Sequence, residues 1–131
     1  KAVSSYRKPN VGKIYPIKVL PTSDEFRSNT LGMQWAWNHN PDSSKWSLNK
    51  KKGYLRLETG RVVSNLKEAP NTLTQRPFAK YNQTIPTIAT TKIDVSNMKN
   101  GDVAGLAVFQ DPYAFIAVAQ NNGSKYITMV N

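Results

Sequence analysis

All three tryptophans and the only histidine of this chain fall within the twelve residues from Trp35 to Trp46. The run Gln34-Trp35-Ala36-Trp37-Asn38-His39-Asn40-Pro41-Asp42, followed by Trp46, mixes two kinds of side chain. Flat aromatic faces stack on the C–H faces of sugar rings, and Asn, Gln, Asp and His hydrogen-bond hydroxyls. Trp37, Asn38, His39 and Trp46 are therefore candidates for a sugar-facing surface. The same spacing has a structural reading. Trp35 and Trp37 alternate, so in a strand they share a face and help build a core, with Asn38 to Asp42 as a turn. His39 has no acidic or hydroxyl partner near it in sequence, which argues against a catalytic base or metal ligand.

A second polar stretch runs from Asn71 to Phe78, where Thr72, Thr74 and Arg76 would share one face of a strand. Arg76 could clamp a carboxylate, from this chain or from an acidic sugar, and Gln75 beside it joins the candidate surface. The acids are Asp24, Glu25, Asp42, Glu58, Glu68, Asp94, Asp102 and Asp111. Glycosidases need two carboxyl groups facing each other, and no such pair can be read from these positions. Asp24-Glu25 could contribute to calcium binding with backbone carbonyls, or could simply form a turn or cap. No Ser-His-Asp set, phosphate loop or dinucleotide fingerprint is present. No catalytic residue, and no cofactor other than that weak calcium option, is expected.

The chain has 131 residues and a net charge of +10, from 18 Lys and Arg against 8 acids. Lys1, Arg7, Lys8, Lys13 and Lys18 lie in the first 23 residues, which hold no acid, so this segment supplies half of the net charge. A further run, Lys50-Lys51-Lys52, precedes Gly53. Such charge can mark a polyanion site or a basic connector with one solvated turn. The lysines do not interleave with aromatics as a single-strand nucleic-acid platform requires, so no nucleic acid is expected as a partner. No apolar stretch reaches the length of a membrane-spanning helix, so no membrane is expected either. Absence of cysteine excludes disulfides and thiolate metal sites.

The positioning elements read as strands. Residues 1–22, with Pro9, Pro16 and Pro21, resemble an extended linker in which Tyr15, Ile17 and Val19 could form an edge strand. The domain proper spans 23–131. Tyr54 to Glu58 alternates leucines with charges, a half-buried strand. Thr87 to Val95 is rich in β-branched residues. Asp102 to Phe109 and Tyr113 to Ala119 are apolar on both faces, as in central strands. Gln110-Asp111-Pro112 reads as a tight turn and Asn121-Asn122-Gly123 as a hairpin turn, before a last strand from Lys125 to Val130. Asn97 to Gly101 is a loop. Residues 86–130 thus predict a four-strand antiparallel meander within an all-β antiparallel sandwich. The sequence stops directly after an apolar strand, which suggests part of a larger sandwich. An exposed edge of that kind could pair with a second copy in a homo-oligomer.

An ordered series of motifs now carries a resemblance. It comprises Ser23-Asp24-Glu25-Phe26, Leu31 through Asp42, Trp46-Ser47-Leu48, Gly53 through Leu57, Asn71 through Arg76 and Gly101 through Leu106. The series resembles the C-terminal concanavalin-A-like β-sandwich (jelly-roll type) of glycoside hydrolase family 43, the β-xylosidase and α-arabinofuranosidase group. Residues 1–22 resemble the stretch joining that sandwich to a catalytic propeller. The resemblance implies a non-catalytic accessory module of a hemicellulose-degrading enzyme, with Trp37, Asn38, His39, Trp46, Gln75 and Arg76 facing either sugar or the propeller; the alternative is a purely structural domain that packs on the propeller. Its partners would be the propeller of the same parent protein and xylan or arabinoxylan oligosaccharides, through sugar contacts or closure of the catalytic pocket. No targeting segment fixes the compartment, and a bacterial periplasmic or secreted location is only slightly favoured.

Overall fold

The Asn-Gly signal lies at the best-formed part of the fold. In the computed structural model, which describes residues 3–16, 21–75 and 88–131, Asn122 and Gly123 both adopt positive φ, 48° and 78°. That is the backbone of a two-residue hairpin turn matched to strand twist. It joins β6 (Ala114–Asn121) to β7 (Ser124–Val130), with Asn121 opposite Ser124. β5 (Val103–Val108) pairs antiparallel with the other edge of β6, giving a three-stranded sheet in the order β5-β6-β7. β6 is the central strand, as its two apolar faces require. Among the described residues β5 lies at an edge, although its composition is that of a central strand.

Register separates the two faces of this sheet. Val103, Gly105 and Ala107 stand opposite Ala119, Ala117 and Phe115, and Tyr126, Thr128 and Val130 continue that face on β7. Ala117 and Ala119 are buried here. The other face carries Leu106, Val108, Ile116, Val118, Ile127 and Met129, of which Val108, Ile127 and Met129 remain at least 70% exposed. A contiguous apolar face of this kind marks a contact surface.

Two short antiparallel pairs complete the ladders among the described residues. β1 (Trp35–Trp37) pairs with β4 (Leu73–Gln75), and β2 (Trp46–Ser47) pairs with β3 (Arg56–Leu57). Two 3-10 turns, Ser43–Lys45 and Leu66–Glu68, are capped by Asp42 and Asn65, whose side-chain oxygens accept from Ser44 N and Glu68 N. There is no α-helix among the described residues. The architecture is all-β and antiparallel.

Two expectations need correction, and a third falls largely outside the described residues. The meander has three strands, because residues 88–95 join no ladder and Ile88 is 87% exposed. Alternation would place Ala89, Thr91, Ile93 and Val95 on one face, yet Ile93 is 41% exposed, so that face is not covered. The strand read over Tyr54 to Glu58 forms only at Arg56–Leu57, and Leu57 is 49% exposed. Of the edge strand proposed over Tyr15, Ile17 and Val19, residues 17–20 lie outside the described residues. Tyr15 itself is exposed and in no ladder.

Candidate functional site

Alternation along β1 puts Trp35 and Trp37 on one face, and each indole then finds a different partner. Trp37 lies 5.1 Å from the Trp46 ring at a 50° tilt. Trp35 stacks on Phe26 at 5.5 Å and donates its Nε1–H to Asp24 Oδ2 at 2.7 Å. All three tryptophans are half-buried. Asp24 is a hub for N–H donors, since Oδ1 also accepts from Phe26 N and Oδ2 from Gln34 Nε2. Three N–H donors thus occupy the Asp24 carboxylate. No group of three or more His, Cys, Asp or Glu side chains gathers among the described residues.

Immediately after β1 the chain turns and the polar side chains converge. Asn38 Nδ2 donates to the Lys67 carbonyl at 3.2 Å, and His39 Nε2 meets the same oxygen at 2.5 Å. A carbonyl oxygen only accepts, so Nε2 carries a proton, and in the tautomer this selects Nδ1 is the acceptor. The Lys67 ammonium pairs with Asp111 at 2.7 Å, in the β5–β6 turn. Asn38, His39, Lys67, Phe109, Gln110 and Asp111 line an open depression of about 300 Å³. That volume is at the lower end for small-ligand sites, and its mixture of one aromatic with several polar groups suits a hydroxylated ligand.

The remaining candidates separate from this depression. Trp37 and Trp46 pack on each other and do not line it. Gln75 directs its Nε2 at the carbonyls of Pro21 and Thr22, at 3.3 and 3.0 Å. Arg76 lies outside the described residues. Lys67, Phe109, Gln110 and Asp111 are the additions that the sequence did not single out as site residues. The Asp111-Pro112 turn was legible, but nothing local shows that it approaches Lys67.

The basic run is largely neutralised. Lys50 pairs with Glu58 at 2.8 Å, and Lys51 pairs with Asp94 at 3.0 Å while lying 4.2 Å from the centre of the Tyr54 ring. Two of its three charges are thus compensated, which weakens it as a polyanion site. Three carboxyl groups are held below their ordinary range. Asp94 is lowered by the Ser96 hydroxyl, then by Lys51 and the Ser96 N–H. The Lys50 hydrogen bond lowers Glu58, and the Ser44 hydroxyl and N–H lower Asp42. A carboxyl group with a lowered folded pKa stabilises the fold above its unfolded value and loses that contribution as pH falls through the folded one. Unfolding followed by urea across pH should therefore show constant stability above about pH 5 and a decline as acid is added below about pH 4. Added salt should flatten this decline, because the lysine pairs are exposed.

Comparison with known proteins agrees with this fold. Residues 23–131 match the family profile described as the β-xylosidase C-terminal concanavalin A-like domain. A β-xylosidase of Formosa agariphila is 34% identical over 146 residues, covering 95% of this chain and 24% of that protein. A non-reducing end α-L-arabinofuranosidase of Bacteroides ovatus is 30% identical over 107 residues, covering 80% of the chain and 19% of its own length. The solved structure of a bifunctional GH43-CE protein of Bacteroides eggerthii superposes with a TM-score of 0.67 at 41% identity, over 82% of this chain and 14% of that one. The chain thus spans about a quarter or less of these relatives. On the match across residues 23–131, it belongs to the family of β-xylosidase C-terminal concanavalin A-like domains.

Proposed function

We propose that this chain is a non-catalytic accessory module of a hemicellulose-degrading glycosidase, and that its working surface is the depression beside the β5–β6 turn. The carrying observation is the convergence of Asn38 and His39 on the Lys67 carbonyl, next to Phe109, Gln110 and the Lys67–Asp111 pair. Anchored in this way, Asn38 keeps its amide oxygen and His39 its Nδ1 as acceptors. Gln110 adds an amide, and Phe109 an aromatic face. Xylose- and arabinose-based oligosaccharides, rich in hydroxyls and C–H faces, match that set. In the parent protein the same surface would help close the catalytic pocket.

A second reading has its own support. The exposed face carrying Leu106, Val108, Ile116, Ile127 and Met129 suits packing against another domain, which would make the module structural. Affinity for xylo- and arabinoxylo-oligosaccharides separates the two. Sugar binding at the depression predicts that His39→Ala and Lys67→Ala each weaken affinity about tenfold, the effect of losing one or two well-placed hydrogen bonds. Affinity unchanged in both variants favours the structural reading.

A further inference from the structure

The segment leading into the domain is pinned to the β1–β4 pair at two separate places. At one end the Gln75 amide, on β4, donates to the carbonyls of Pro21 and Thr22. At the other, the Asp24 carboxylate accepts from Phe26 N at 2.7 Å, from Trp35 Nε1 at 2.7 Å and from Gln34 Nε2 at 3.2 Å. Trp35 on β1 stands directly opposite Gln75 on β4, so the two anchors share one pair of residues in register.

Just past the Asp24 anchor the backbone takes a costly shape. Phe26 has φ of 48°, the left-handed region that a residue with a bulky side chain rarely occupies. Two contacts offset that cost: its N–H bonds to Asp24 Oδ1, and its ring stacks on Trp35. Asp24 is half-buried between exposed neighbours, Ser23 and Glu25, so the carboxylate alone turns inward. No lysine or arginine pairs with it among the described residues. Three N–H groups satisfy it, and hydrogen bonds to a charged acceptor are among the stronger ones.

We infer that residues 21–26 act as a latch, with Asp24 and Gln75 as positioning residues that jointly fix where the preceding chain leaves the sheet and how the Trp35 indole is oriented. Neither anchor suffices alone. Gln75 holds only backbone carbonyls that other donors or water could satisfy, and Asp24 must maintain a left-handed Phe26. Closing the short segment at both ends lowers the entropy cost of each contact. A polypeptide attached ahead of residue 21 would therefore be held at a set angle to the tryptophan cluster, rather than swinging on a free tether.

Hydrogen exchange in the whole chain tests this. The reporters are the Phe26 amide and the Trp35 indole N–H, which Gln75 does not touch through its side chain. Gln75→Ala should speed exchange at both by about fivefold to tenfold while leaving the Ala117 amide in β6 unchanged. Gln75→Glu keeps the side-chain length and removes the donor, and should act the same way. Unchanged reporters in both variants would show two independent contacts and overturn the latch. Equal acceleration at Ala117 would overturn it too, since that marks general loss of stability.

Discussion

Replacing Gly105 with valine should unfold this module or cost it roughly 3 kcal/mol, the upper end for overpacking a strand interior. Gly105 sits in β5 directly opposite Ala117 of β6, on the face where Ala117 and Ala119 are buried. A Cβ there would overlap the Ile116 carbonyl oxygen and approach the Ala117 Cα and Cβ to 2.5 Å. Both obstacles belong to the central strand, which is hydrogen-bonded on both sides and has nowhere to move. Urea unfolding should show a lower midpoint with an unchanged slope. Val108→Thr, on the exposed face of the same strand, should stay within about 0.5 kcal/mol of the parent.

The second large effect concerns Trp37. Its ring packs against Trp46, so Trp37→Ala leaves a hole beside a half-buried indole. Deleting a large aromatic from a packed site costs about 3–5 kcal/mol, and partial exposure places this case near 3. The remaining tryptophan emission should shift to the red as water reaches Trp46. Because Trp37 does not line the depression, oligosaccharide affinity of the folded fraction should change less than twofold. A large affinity loss with no loss of stability would mean that the indole stacks directly on sugar.

Signals of short range were legible in the sequence. The Asn-Gly pair specified the β6–β7 hairpin because positive φ at two successive positions demands those residues. Alternation at Trp35 and Trp37 gave their shared face. Partner choice was not legible. β5 has the composition of a central strand and, among the described residues, lies at an edge, and residues 88–95 have β-branched content and a consistent face but join no ladder. β propensity reports how well a residue fits a pleated surface, not which strand lies beside it. The site divided in the same way. Asn38 and His39 stood out by type, while Lys67 and Asp111 meet across 44 positions and leave no local trace. Gln75 looked like a sugar ligand because an exposed amide on a polar strand fits either role. Its partners, Pro21 and Thr22, lie more than 50 residues away.

The central claim is that polar groups beside the β5–β6 turn, rather than the tryptophan faces, meet the sugar. Chemical-shift mapping of the ¹⁵N-labelled chain with millimolar xylo- and arabinoxylo-oligosaccharides tests it most directly. The predicted result is movement of the Asn38 side-chain amide, the His39 ring and the backbone of Phe109 to Asp111, with the Trp37 and Trp46 indole signals still. An unchanged spectrum, or shifts confined to those indoles, would contradict it.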